Sequence, residues 1–526
     1  MKICRFIMLC QIGLFSAYAY SAQPDQDNAF PLKYPVLVNH IYQNHTDNYF
    51  WQEEPLRTEF EKQLMLFVLA DVSDDLFVHY QALREAAKQK DWQRYERLAT
   101  DSLLFYISYT EQLAVKGIPW LFGRGIKKNI APPSTRSIDA FFNAPSNLAR
   151  LKYLQRLLPE SPQYGRLYQH VFDFYRHADK NATSAEFTAF AKQGERLQQK
   201  ALLLARLQLS GDLSPTMKKH FESEDQELYS EKLQAVIKRF QSRHGLKVDA
   251  IIGKKTRYWL NISARERLRL MALNTLRLTL WTINKPRVVI VNIPDYTMEY
   301  WEEGEKKFES KAIVGRSTRK TPIFISKLDS IVFNPTWTVP ISIMRKDILP
   351  SALADNDYLK KHRYQIIPSW LSSEVIDPEQ IEWDTITVDN FPYKLRQKSG
   401  KNNALGFYKF NTPNKNAIYL HDTPAKYLFN KRDRAYSSGC IRIQKAKQFA
   451  RLLMNESGFS DQDYRRYHER PKTTALGLKK KITFFTIYQT VWVDEFGFTQ
   501  FRKDIYNYDT LRRSKNFNQK FNFQKK

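Results

Sequence analysis

At 526 residues, with 43% hydrophobic and 14% aromatic content, the chain is long enough for about two to four domains and too apolar to be disordered. Its formal net charge of +27 points either to an anionic partner or to charge spread over solvated helix faces. It contains no HExxH, no clustered Cys/His spacing and no nucleotide signature, so no metal and no cofactor are expected.

Residues 1–22 read as a secretory signal. Lys2 and Arg5 give a positive start, Phe6 to Phe15 an apolar segment, and Ala17-Tyr18-Ala19 a small-residue cleavage site, with Ala22 as the alternative. The apolar part falls short of the roughly 20 residues that a span requires, so no stable membrane span is expected after cleavage. Export makes nucleic acid an unsuitable partner; an anionic wall polymer or membrane phosphates fit the basic charge better. Cleavage also removes Cys4 and Cys10 and leaves Cys440 alone, either reactive or buried.

Residues 30–215 read as helical. Trp92, Tyr95, Ala99, Leu103 and Tyr106 recur at steps of three or four, as do Tyr164, Leu167, Tyr168, Val171 and Tyr175. His170 and His177 lie seven apart on one helix, and without further ligand spacing they read as helix-surface residues. The region carries no chemistry of its own and is expected to be a scaffold or protein-contact domain.

Ser210 to Pro215 reads as a linker, and residues 226–262 as a small helical module built on Leu233, Val236, Phe240, Leu246, Ile252 and Leu260. Residues 263–285 read as a long helix bridging back to the scaffold. From Pro286 short β-rich runs take over: Arg287 to Ile293, Lys311 to Val314, Ser330 to Phe333 and Ala417 to Leu420. Residues 351–405 form a charged, Pro-interrupted insertion with little strand pattern, either a cover over the site or an ordinary surface excursion. Residues 510–526 read as a frayed basic tail.

The chemistry concentrates between Tyr419 and Arg442. His421 closes an apolar run, and Cys440 follows nineteen residues later inside Ser437-Ser438-Gly439-Cys440-Ile441-Arg442. A thiol becomes nucleophilic when an imidazole takes its proton or when positive charge, here Arg432, Arg434 and Arg442, lowers its pKa. Burial would oppose that charge, and residue types do not give the sum. Gly439 lets the backbone approach a carbonyl closely, so that nearby amides can form an oxyanion hole. On residue types alone, Cys440 as a buried small hydrophobe and His421 as a core histidine remain open.

His421-Asp422-Thr423-Pro424 together with Ser437 to Arg442 resembles the active-site signature of the L,D-transpeptidases, the YkuD-type domain of bacterial cell-wall enzymes. Ser438 stands where the commoner motif has a second His; the long multidomain Gram-negative members resemble this chain in using Ser-Ser-Gly-Cys. VNIPDYTMEYW, IVGRSTRKTPIF, FNPTWTVP and LGFYKFNTPNKNAIYLHDTP extend the likeness over most of residues 286–509. Residues 226–262 resemble the peptidoglycan-binding repeat, with Ala250 where that repeat usually has Gly.

The resemblance implies a multidomain α+β protein: helical scaffold domain, peptidoglycan-binding-like module, and a mainly β catalytic domain with a capping insertion at 351–405. It implies Cys440 as nucleophile and His421 as base. Cys440 would attack the diaminopimelate carbonyl of a tetrapeptide stem, expel terminal D-alanine and pass the acyl group to an amine as a 3→3 cross-link. Asp422 would orient the imidazole, Ser438 and Gly439 would serve the oxyanion, and Arg442, Tyr419 and Trp337 would meet substrate. The implied setting is the periplasm, with peptidoglycan stem peptides and other wall-synthesis or remodelling proteins as partners and carbapenems as acylating inhibitors. A thiol L,D-carboxypeptidase, a protein-to-wall ligase and a non-catalytic wall-binding scaffold are the alternatives.

Overall fold

The computed structural model describes residues 31–45, 49–123, 125–126, 130–177, 185–192, 194–223, 229–281, 285–355 and 357–510. The signal segment and nearly all of the basic tail lie outside them.

The scaffold is organised by the 31-residue helix Trp92–Phe122, which Asp91 caps by accepting from Arg94 N. Its three- and four-residue apolar spacing buries Tyr95, Leu98, Ala99, Leu103 and Tyr106, while Trp92 stays exposed at the first turn. Two buried carboxylates on this helix hold the segments before it. Asp101 accepts from Lys33 N at 2.8 Å and Tyr34 N at 2.7 Å, and Glu96 from Phe50 N at 3.1 Å and Trp51 N at 2.8 Å.

Helix Ala264–Leu278, read from the sequence as bridging back to the scaffold, packs against helices Glu54–Ala70 and Pro162–His177, and every residue from Glu266 to Arg277 is buried. It is part of the scaffold's core. Its arginines enter because they find acceptors inside: Arg269 bonds Glu266 at 2.8 and 2.9 Å, and Arg277 bonds Asp509 at 2.5 Å and Leu121 O at 3.2 Å. Arg267 reaches Trp259 O at 2.5 Å and His244 Nε2 at 3.0 Å.

The small module is larger than its expected span. Helices Lys200–Leu209 and Pro215–Ser223 precede Glu231–Arg243 and Lys254–Leu260, and the supposed linker between the first two is an internal corner. There Asp212 is fully buried, 2.9 Å from Arg243 Nη1 and 2.8 Å from Ser210 Oγ. Gln241 ties the turn before the last helix, its Oε1 accepting from Asp249 N and Ala250 N at 3.0 and 2.9 Å. Ala250 has φ of 60°, the left-handed region in which glycine is at ease.

The C-terminal half carries β1 (Arg287–Asn292), β2 (Thr297–Glu302), β3 (Glu305–Gly315), β4 (Phe324–Phe333), β5 (Trp337–Thr338), β6 (Tyr364–Ile367) and β7 (Lys394–Gln397). After them come β8 (Tyr408–Asn411), β9 (Leu420–His421), β10 (Ala435–Ser437), β11 (Ile441–Ile443), β12 (Thr474–Ile487), β13 (Val491–Val493) and β14 (Thr499–Phe501). The main sheet runs β10-β3-β11-β9-β8-β4-β12-β1-β2, and β2 pairs back onto β3, giving a barrel-like closure.

The insertion is a lobe with a hydrophobic core of its own, from Val339, Met344, Ile348 and Leu349 to Phe391 and Leu395, under the small sheet β5-β7-β6. It therefore starts ahead of Ser351 and contains strands that the charged sequence hides. The β13–β14 hairpin meets the module and the scaffold: Arg243 Nε donates to Thr499 O at 2.9 Å, and His170 Nδ1 lies 3.0 Å from Thr499 Oγ1. Among the described residues no helix is long and apolar enough to cross a membrane.

Candidate active site

Strand alternation builds the site. On β11, Ile441 and Ile443 turn into the barrel while Cys440 and Arg442 fall on the other face. The parallel β9 pairs Leu420 with Ile441 and His421 with Arg442, and Ile441 N donates to Tyr419 O at 3.0 Å. On the far side of β9, antiparallel β8 sets Lys409 opposite His421. One row across three strands therefore reads Arg442, His421, Lys409, with Cys440 and Tyr419 in the row beside it.

His421 is buried, and its Nδ1 lies 2.5 Å from Asp422 O. A carbonyl only accepts, so Nδ1 carries the hydrogen and Nε2 keeps its lone pair. Burial is the main reason that its pKa falls from the usual 6.5 to about 3; Arg442, Lys409 and Lys426 push the same way against the Asp422 carbonyl. The Asp422 carboxylate is engaged elsewhere, accepting from Phe407 N at 3.0 Å and pairing with Lys426.

Cys440 is the free cysteine of the described residues and is partly exposed. Its Sγ lies 3.7 Å from Ala417 O. Desolvation raises the thiol's pKa, and hydrogen bonds from Tyr419 together with the charges of Lys409 and Arg442 only partly offset it. Arg432 and Arg434, near in sequence, serve other ends. Arg432 Nε donates to Gly245 O at 2.8 Å, docking the module, and Arg434 donates to Ala312 O at 3.1 Å and Tyr296 O at 2.9 Å. The expectation that these two arginines favour the thiolate is thus corrected.

The loop before Cys440 is braced. Ser437 Oγ donates to Cys440 O at 2.6 Å and accepts from Gly439 N at 3.2 Å, so the Gly439 amide is already engaged. Gly439 sits at φ of 125°, and a Cβ there would lie 3.2 Å from Ile418 Cδ1, which is why this place requires glycine. Its carbonyl accepts from Thr321 Oγ1 at 2.7 Å. Ser438, in the place of the second imidazole, accepts from Arg319 Nη1 at 2.9 Å and Arg316 Nη2 at 3.2 Å. Arg319 also pairs with Asp347 of the inserted lobe. Trp337, on β5, and the Cys440 thiol both lie beside the Tyr419 hydroxyl.

Of the residues singled out in the sequence, Cys440, His421, Asp422, Ser438, Gly439, Arg442, Tyr419 and Trp337 gather at this one place. Lys409, Arg316, Arg319 and Asp347 were missed. Lys409 was within reach of pattern reading: Tyr408 and Phe410 alternate around it, and the Asn-Thr-Pro-Asn-Lys-Asn turn after β8 makes a hairpin that sets it beside His421. Among the described residues no cluster of His, Cys, Asp or Glu could hold a metal.

Residues 286–473 match the YkuD family, described as the L,D-transpeptidase catalytic domain. Residues 206–260 match a "Putative peptidoglycan binding domain", and residues 36–170 a scaffold domain. A Haemophilus influenzae protein described as "Putative L,D-transpeptidase" is 40% identical over 221 residues, which is 42% of this chain and 44% of that protein's length. An L,D-transpeptidase structure from Mycobacterium smegmatis aligns at 11% identity and TM-score 0.18, over 38% of this chain and 58% of that one. Another, from Stackebrandtia nassauensis, aligns at 14% identity and TM-score 0.20, over 58% and 97%. Along one chain, therefore, matches to a scaffold domain, a peptidoglycan-binding domain and, over residues 286–473, the YkuD-type L,D-transpeptidase catalytic domain follow in order.

Proposed function

We propose that this protein is a wall-remodelling cysteine L,D-transpeptidase that makes 3→3 cross-links in peptidoglycan. The observation that carries the reading is the neutral imidazole of His421, its Nε2 left free by the Asp422 carbonyl, on the strand paired with that of Cys440. In the resting site the raised thiol and lowered imidazole favour SH and neutral ring over a thiolate–imidazolium pair. Proton transfer to Nε2 therefore accompanies attack.

The sulfur bonds to the carbonyl carbon of the third stem residue, and the thiol proton passes to His421. The oxyanion is met by the amides of Ser438 and Cys440, which have no partner among the described residues. As the C–N bond breaks, His421 returns the proton to the leaving amine of D-alanine, and a thioester remains. An acceptor amine then attacks that thioester, His421 takes its proton, and the thiol is regenerated. Water in place of the amine gives the carboxypeptidase, and a protein amine gives the ligase. We place the enzyme in the periplasm, with peptidoglycan held by the module at 206–260.

The test is incubation of the purified protein with disaccharide tetrapeptides, followed by mass spectrometry of products and of intact protein. Dimers that have lost one D-alanine, with a transient adduct on Cys440, support the reading. Tripeptide monomers alone would move it to the carboxypeptidase, and absence of both adduct and D-alanine release would overturn it.

A further inference from the structure

We propose that Arg442 and Lys409 form a carboxylate-binding pair on either side of His421, which selects an anionic donor and seats its carboxylate beside the scissile bond. The inference rests on the transpeptidase reading for the identity of the donor, and on geometry alone for the anion site.

Register puts both cations on the face that bears the nucleophile. Arg442 is paired with His421 on one side and Lys409 on the other, and adjacent strands lie about 4.8 Å apart, so the two Cα atoms are about 10 Å apart. Arms of this length can converge on one carboxylate over the imidazole. The face they share also carries Cys440 and Tyr419. Lys409 Nζ stands 4.5 Å above the Tyr419 ring, and Arg316 and Tyr427 lie toward Arg442.

Neither cation has a hydrogen bond or an ion pair among the described residues, and Arg442 Nε is buried without a partner. Elsewhere in this protein the buried Arg277, Arg269 and Arg243 each hold a carboxylate, from Asp509, Glu266 and Asp212, and Arg267 is met by Trp259 O and His244 Nε2. Arg442 and Lys409 are half-buried, and a charge partly withdrawn from water gains from a counter-ion supplied beside it. The acids near the site are taken: Asp422 by Lys426 and Phe407 N, Asp347 by Arg319. What remains for Arg442 and Lys409 is an anion brought by the substrate.

A stem-peptide donor offers two such groups close to the attacked carbonyl: the terminal carboxylate of the leaving residue and the side-chain carboxylate of the acylating residue. Either would also quench the positive field around His421, so docking would ease proton transfer to Nε2.

The site can be read without any stem peptide by alkylating Cys440 with iodoacetate and iodoacetamide, which differ in a carboxylate beside the same reactive carbon. Both reagents sample one thiolate population, so their rate ratio cancels changes in thiol ionisation. Arg442→Met and Lys409→Met should each lower the iodoacetate-to-iodoacetamide ratio about 10-fold, the range of one charged hydrogen bond, and Arg442→Lys should restore part of it. An unchanged ratio in both Met variants overturns the pair, even for an active transpeptidase. A collapsed ratio in a protein that turns over no stem peptide leaves the pair standing and overturns the functional reading. Should Arg442→Met fail to fold, Lys409→Met reads the ratio by itself. Tetrapeptide donors amidated at the terminus or at the side chain then assign the carboxylate: amidating the bound one raises KM in the wild type and makes no difference in Arg442→Met.

Discussion

Arg319 joins Asp347 of the inserted lobe to Ser438, two residues before Cys440, with its Nη1 2.9 Å from the serine hydroxyl and its Nη2 3.1 Å from Asp347 Oδ1. The lobe is thereby anchored to the loop that presents the nucleophile.

Asp347→Ala should loosen that anchor. Because the pair is partly exposed and worth up to about 1 kcal/mol, turnover of stem peptides should fall by no more than about 5-fold. The wild-type rate should also drop more steeply than the variant's as salt is raised, because donor docking is screened in both and the ion pair only in the wild type. Steady-state kinetics at two ionic strengths check this; equal salt sensitivity in both proteins would show that the ion pair does not steady the loop.

Removal of the whole lobe tests its role as a cover, and the cut must respect its core. Excision of residues 351–405 strands Met344, Ile348 and Leu349 in water and should give an aggregating protein. Excision of 339–395 with a short Gly/Ser bridge should stay soluble, keep reaction of Cys440 with small alkylating reagents, and lose most turnover of stem peptides. Equal loss of both reactions in the soluble variant would rule out a cover.

Burial raises the Cys440 thiol, so its alkylation rate should climb with pH through a midpoint above the free-thiol value of about 8.5. The sign for His421 is the reverse. Its folded pKa of about 3 lies below the usual 6.5, so the unfolded state binds the extra proton and stability falls as pH drops from about 6.5 toward 3. His421→Gln should flatten that part of the stability profile and abolish acylation by carbapenems. Urea titrations at several pH values and intact-mass spectrometry read the two effects.

Arg277→Met leaves Asp509 buried without its cation and should cost about 3–5 kcal/mol, measured by denaturant unfolding. Arg277→Met combined with Asp509→Leu should recover much of that loss. A loss under 1 kcal/mol in the single variant would mean that the pair is not closed in solution.

Ala250→Gly should stabilise the module by about 0.5–1 kcal/mol, since φ of 60° costs alanine more than glycine's extra chain entropy returns. Ala250→Val should destabilise it, because β-branching makes the left-handed region harder still. Unfolding midpoints of the full chain decide the order.

What the sequence made legible follows from how local each signal is. The periodicity from Trp92 to Tyr106 marks one helix because its apolar stripe lies on one face, and His421 and Cys440 stand out because thiol chemistry constrains a short motif. Lys409 needs the β8–β9 register before it means anything. Arg432 and Arg434 misled because proximity along the chain is no guide to direction in the turn that leads into β10: their guanidiniums turn to the module and to Tyr296. The burial of the arginine-rich helix 264–278 was not legible, since nothing local announces that Asp509 and the carbonyl of Leu121 wait for Arg277. Asp212 hid the same way, in a Ser-Gly-Asp stretch whose turn chemistry is real but whose carboxylate is a buried counter-ion.

That same helix sets a timetable for folding. The segment from 36 to 170 cannot close its core until residues beyond 264 have been made and delivered, and Arg277 waits for Asp509, 232 positions further on. Contacts this distant are paid for in loop-closure entropy before they return anything, so the scaffold should be the last part to consolidate rather than the first. An excised 30–215 fragment would expose the apolar groove that the helix fills, and should be recovered as a loosely packed, aggregation-prone species. Added back as a separate peptide, residues 262–281 should restore its cooperative melting.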